Sequence, residues 1–205
     1  MNYYFDRRGD LMKCILKFIP NLITITRVIM TFAFIHTIEQ QYVYGIDMTI
    51  KIIILFFAIC FSDFIDGKIA RKINSVSLIG AKLDVFADLF YIISSYVMLV
   101  NIKILPLWFL IFVCFKFTEF IFTSNYIKRN ISSTDKPFVF DKVGRVVSAI
   151  FLIIPGIACI YKRFEVNTIN FLFNCFIFVI FIAGLYSSYL RIKSCYVVID
   201  TDNNI

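Results

Sequence analysis

Charge, histidine and paired cysteine are all scarce in this sequence. Asp, Glu, Lys and Arg make up 17% of its 205 residues, where soluble domains carry about 25%. There is one histidine, His36, and the six cysteines form no C-x-x-C pair. That spacing argues against a disulfide framework or a zinc site and favours the cysteines as apolar filler. No A-x-A-like cleavage site follows the first apolar segment, so that segment reads as a retained helix rather than a removed signal peptide. Repeats, low-complexity tracts and a soluble appendage are also missing. What is abundant is apolar side chain: 60% of residues are hydrophobic, with 25 Phe and 11 Tyr. A fold this small does not hide so much apolar surface from water, so most of it must face lipid.

The sequence therefore predicts an all-α integral membrane protein, one domain over residues 1–205. Six segments are long enough to cross a bilayer, at 19–38, 49–72, 78–101, 104–127, 143–162 and 168–190. Before them, Leu11, Ile15 and Phe18 with Lys13 and Lys17 predict a short juxtamembrane amphipathic helix. The net charge of +7 would suggest nucleic acid in a soluble protein. Here it is topogenic, and no nucleic-acid partner is expected. Lys and Arg collect at the N-terminus, around the 2–3 and 4–5 connections and near the C-terminus, which places both termini in the cytoplasm.

Four acids interrupt the second and third segments. Asp63, Asp66, Asp84 and Asp88 would each cost about 2.5–3.5 kcal/mol at mid-membrane, so their accumulation needs a reason. Asp63, Asp66, Gly67 and Ala70 share one helical face, and Gly80, Asp84 and Asp88 share another. In an antiparallel hairpin turning near Ser75 and Val76, Asp63 lies level with Asp88 and Asp66 with Asp84. The four carboxylates then converge roughly 10–20 Å from the cytoplasmic turn, at about 1.5 Å per residue. Oxygen-only ligands of this kind suit hard divalent cations, magnesium or manganese, as a pair.

Residues 63–88 read D-x2-D-G-x2-A-R-x8-G-x3-D-x3-D, from Asp63, Asp66, Gly67, Ala70 and Arg71 to Gly80, Asp84 and Asp88. That pattern resembles the signature of the CDP-alcohol phosphatidyltransferases at all eight fixed positions. The resemblance implies that Asp63, Asp66 and Asp84 hold two divalent cations, with Asp88 sharing one and acting as general base. It further implies that Gly67, Ala70, Arg71 and Gly80 cradle the CDP part of CDP-diacylglycerol. A small polar alcohol would attack, CMP would leave, and no Ser, Cys or His nucleophile is required. The expected setting is a bacterial cell membrane with the active site on its cytoplasmic side, and a homodimer.

The acceptor is less legible. The run Pro20-Asn21-Leu22-Ile23-Thr24 leading to Arg27 is similar to the opening of phosphatidylglycerophosphate synthases, which favours glycerol 3-phosphate. Arg27, Lys142 and Arg145 are candidates for binding its phosphate. Those synthases tend to carry Arg before a glutamate in the fourth helix, and this chain has Thr118 before Glu119. Serine, inositol phosphate and phosphatidylglycerol remain alternative acceptors. Outside enzymology, the same carboxylates would serve a divalent-cation transporter, although Arg71 gives a cation path nothing. Lys116 and Glu119 read as a buried ion pair, His36 as an interfacial residue, and Pro155-Gly156 as a kink.

Overall fold

Helix after helix follows from those apolar runs, because in hydrocarbon the backbone must satisfy its own hydrogen bonds. A computed structural model shows six helices among the described residues: α1 Tyr3–Tyr42, α2 Thr49–Lys72, α3 Leu78–Asn101, α4 Leu107–Asn130, α5 Lys142–Phe164 and α6 Asn167–Asp202. It describes the backbone of residues 3–72, 78–130, 142–164 and 167–202, and the side chains of 22–65, 80, 82–126, 146–163 and 171–193. Among the described residues there is no strand. Five stretches of the described residues are apolar and long enough to cross a membrane: Leu22–Tyr42, Lys82–Asn101, Leu107–Tyr126, Val146–Arg163 and Phe171–Lys193.

Two boundaries differ from the sequence expectation. The juxtamembrane segment and the first span are one continuous helix, which runs through Pro20 without a break. At about 1.5 Å per residue its 40 residues reach some 60 Å, twice a bilayer's apolar thickness. Its N-terminal half must therefore lie outside the hydrocarbon. Helix α6 likewise continues to Asp202, past the expected end at 190. Helical hydrogen bonding does not have to stop where the lipid does.

The chain divides into two compact units, residues 1–91 and 92–205, with the boundary inside α3. In the first unit α1 packs on α2. Thr24, Arg27, Thr31, Phe34 and Ile38 recur along one stripe of α1 and are all buried. The opposite face shows Leu22, Ile25, Ile29 and Phe32 to the outside. Polar side chains inside and apolar ones outside is the arrangement lipid demands. The α1–α2 connection is short because Gly45, at φ 73°, ends α1 in a left-handed cap. Ile46 N–H then reaches back to the Gln40 carbonyl at 3.0 Å, and the Asp47 carboxylate accepts the Thr49 N–H at 3.1 Å to start α2.

In the second unit α6 packs against both α4 and α5. Aromatic rings fill its centre: Phe109, Phe112 and Phe151 are all buried, and Phe112 meets Phe181 edge-on with centroids 4.6 Å apart. Helix α5 runs unbroken through Pro155. Proline has no N–H, so the Phe151 carbonyl loses its usual helical donor. The hydroxyl of Tyr96, wholly buried on α3, donates to that carbonyl at 3.1 Å instead. On α6 the Phe-rich stretch is split between faces. Phe171, Phe178 and Val179 are exposed, whereas Phe173, Ile177 and Ile180 are buried.

Candidate active site

Three helices of the first unit contribute to one polar centre. Arg27 comes from α1, Ser62 and Asp63 from α2, and Asp84 and Asp88 from α3. Helical spacing puts Asp84 and Asp88 on consecutive turns of one face, so both carboxylates reach the same point. The carboxylate oxygens of Asp63, Asp84 and Asp88 lie within 4.8 Å of one another.

Arg27 is completely buried, and its Nη1 approaches one oxygen of each of the three aspartates. It is 2.5 Å from Asp88 Oδ1, 2.9 Å from Asp84 Oδ1 and 3.3 Å from Asp63 Oδ1. An Nη atom has two hydrogens. They are donated to Asp84 and Asp88, and the longer approach of Asp63 is ionic. The Nε–H of Arg27 donates to Ser62 Oγ at 3.3 Å. The Ser62 hydroxyl itself donates to the Ile59 carbonyl at 2.7 Å, which turns an oxygen lone pair toward the arginine. Thr31 fixes the backbone below by donating to the Arg27 carbonyl at 2.9 Å.

The charges in this cluster do not cancel. Three carboxylates face one guanidinium, leaving two negative charges in the described set. One divalent cation would neutralise them. The donor set also has the right chemistry: oxygen ligands only, gathered closely, and already drawing a cationic nitrogen into their centre. The residues present therefore fit a hard divalent metal.

Of the four aspartates expected to converge, the structure brings three together. Asp66, Gly67, Ala70 and Arg71 lie on the last turns of α2, and their side chains fall outside the described residues. Gly80 is half-buried in the first turn of α3. Lys142 and Arg145 open α5, again with side chains outside the described set. Arg27 was expected near an acceptor phosphate; its guanidinium lies against Asp63, Asp84 and Asp88. The signal for that pairing was present, because an arginine and several acids inside apolar helices each need an opposite charge.

The second unit has a polar centre of its own. Lys116 Nζ donates to Glu119 Oε2 at 3.0 Å and to Ser188 Oγ at 2.8 Å, and both charged side chains are at least nine-tenths buried. The expected ion pair is thus present, with a serine from α6 added. Arg191 was missed by the sequence reading, which counted it only as a flanking positive charge. It is buried, donates from Nε to Thr123 Oγ1, and lies over the Phe120 ring at 4.7 Å. A cavity of about 30 Å³ beside these residues is lined by Lys116, Glu119, Ser148, Ser187 and Arg191 among others. His36 is exposed, with Nδ1 3.9 Å from a Glu39 carboxylate oxygen, as a surface residue should be.

A membrane protein that is helical throughout its described elements, with a half-buried aspartate cluster between neighbouring helices, is the class that this fold and site define. Within it, the family model for CDP-alcohol phosphatidyltransferase matches residues 17–182. The chain belongs to that family, whose members are phosphatidyltransferases and typically depend on divalent metal. It is 28% identical over 160 residues to the CDP-diacylglycerol–glycerol-3-phosphate 3-phosphatidyltransferase of Aquifex aeolicus, covering 76% of this chain and 83% of that protein. A CMP-forming cardiolipin synthase of Streptomyces coelicolor is 51% identical over 47 residues, 23% of this chain and 22% of the relative. The CDP-diacylglycerol–serine O-phosphatidyltransferase of Bacillus subtilis is 36% identical over 74 residues, 36% and 38% of the two chains.

Proposed function

We propose that this protein transfers a phosphatidyl group from CDP-diacylglycerol to glycerol 3-phosphate, releasing CMP, at the aspartate centre of its first unit. The observation that carries the reading is the gathering of Asp63, Asp84 and Asp88 around one cationic point, within the eight-position motif. Glycerol 3-phosphate is favoured over serine or phosphatidylglycerol because the glycerol-3-phosphate relative aligns over 83% of its length. The cardiolipin- and serine-type relatives align over 22% and 38% of theirs. A cation path is disfavoured by Arg27, whose fixed positive charge sits on the carboxylates such a path would use.

Asp63, Asp66, Asp84 and Asp88 hold two divalent cations, magnesium or manganese, in this reading. When bound, they neutralise the donor's diphosphate and so make CMP an acceptable leaving group. Asp88 accepts the proton of the attacking hydroxyl as its oxygen bonds to the phosphatidyl phosphorus and the bond to CMP breaks. Gly67, Ala70 and Gly80 leave room for the donor, and Arg71 binds its phosphate. Lys142 and Arg145 bind the acceptor phosphate, whose charge would otherwise oppose entry to a carboxylate-rich site. Helix α2 is the sixth span, both units form one catalytic domain, the termini and active site face the cytoplasm, and the protein works as a homodimer.

The test is CMP release from CDP-diacylglycerol by purified protein with magnesium and a panel of acceptors. Glycerol 3-phosphate should be used and serine should not. Arg145→Ala should raise the apparent KM for glycerol 3-phosphate by about tenfold or more, from loss of a charge-assisted contact, with the donor KM unchanged. Efficient serine use with no glycerol 3-phosphate activity would overturn the acceptor assignment.

A further inference from the structure

We infer that Arg27 is a resident cation of the carboxylate centre, competing with divalent metal for the oxygens of Asp63, Asp84 and Asp88. The inference rests on the reading of those aspartates as metal ligands. It assigns Arg27 a duty distinct from phosphate binding: it offsets one of the three negative charges of the described cluster and sets how much metal is needed to fill it.

Geometry carries this. A single nitrogen, Nη1, lies 2.5–3.3 Å from one oxygen of each aspartate. A metal bound to the same three oxygens would have to approach the point that Nη1 now fills, since such bonds are only about 2.0–2.1 Å long. The two cations cannot both keep their contacts. Metal binding through those same oxygens would therefore move the guanidinium off the cluster, or at least break its two hydrogen bonds there. The arginine has a separate anchor that survives such a move, because Nε–H binds Ser62 and not a carboxylate.

Burial explains why a resident cation is required. Arg27 is wholly buried, and the three carboxylates are each only about a third exposed, at 36%, 38% and 29%. Without a positive charge among them, three such groups would repel one another between packed helices. Arg27 ties α1, α2 and α3 to one point. The cost is a weaker metal site. An adjacent cation changes a carboxylate's affinity for a proton by roughly 10–1000-fold, and a metal competing for the same oxygens should feel at least the lower end of that range.

Manganese binding to purified protein in nanodiscs, followed by electron paramagnetic resonance of the free ion, is the test. Arg27→Gln should bind Mn²⁺ about tenfold or more tightly than the parent. Without metal the variant should melt at lower temperature, and saturating Mn²⁺ should raise its Tm more than it raises the parent's. Equal or weaker Mn²⁺ binding by the variant, with the parent binding normally, overturns the inference and leaves the metal-site reading standing. Failure of both proteins to bind Mn²⁺ overturns the two together. Should Arg27→Gln not fold, the parent itself gives the answer. With ¹⁵N-labelled arginine, the Nη–H signal that disappears in Arg27→Lys should shift on saturation with Mg²⁺. A signal that stays put while Mg²⁺ binds overturns the competition.

Discussion

Replacing Asp88 with asparagine separates the chemistry of the centre from its architecture. The side chain keeps its volume but loses a negative charge and the ability to take a proton. Asp88 Oδ1 makes the shortest contact to Arg27, at 2.5 Å. A hydrogen bond to a charged group is worth about 1.5–3 kcal/mol, and the 29% exposure of Asp88 puts this one toward the low end. Arg27 would keep Asp84 at 2.9 Å and Asp63 at 3.3 Å, so the hairpin should still fold and insert. Turnover should fall much further. Loss of a general base alone costs roughly 10²–10⁴ in rate, and the net charge of the described cluster drops by half, which weakens metal binding as well. The assay is CMP released from CDP-diacylglycerol in mixed micelles, at matched amounts of folded protein and over a wide range of Mn²⁺. Persistent inactivity at saturating Mn²⁺ assigns Asp88 the proton. Full recovery at high Mn²⁺ would make it a ligand and no base. Turnover within tenfold of the parent at ordinary metal concentration would refute its place in the mechanism altogether.

Arg71→Ala should reduce the use of CDP-diacylglycerol by about tenfold or more, the worth of one charge-assisted phosphate contact; unchanged donor kinetics would return Arg71 to an anchor at the cytoplasmic face. Tyr96→Phe should lower the Tm in detergent by an amount equivalent to about 0.6–1.7 kcal/mol, the range of single hydrogen bonds between membrane helices. In a Pro155→Ala background, where α5 regains its own donor to the Phe151 carbonyl, the same change should cost less, and additive effects in the double-mutant cycle would refute the assigned role of Tyr96.

How much of this could be read from the residues alone depends on how local each feature is. The aspartate faces were legible because helical periodicity is a short-range rule: Asp84 and Asp88 share a side of α3 whatever else the chain does. The ion pair of Lys116 and Glu119 was legible for the same reason, one turn apart on α4. Ser188, which completes that pair, is contributed by α6 about 70 positions away and was not seen. Arg27 shows where the boundary lies. Its oddity within an apolar helix was plain, and an opposite charge was its obvious need. The sequence reading gave it an acceptor phosphate, and periodicity within α1 does not point to the aspartates of other helices. The choice is made by packing, which brings α1 against a hairpin whose acids are 36 to 61 positions further on. Pro155 is the matching case for the backbone. Its missing N–H identifies the Phe151 carbonyl as the group left wanting a donor, but only the fold shows that Tyr96 supplies one. In each instance composition exposed an unmet electrostatic demand, and the tertiary structure decided which distant group meets it. In lipid, where water cannot substitute, such unmet demands are the most informative residues in the chain.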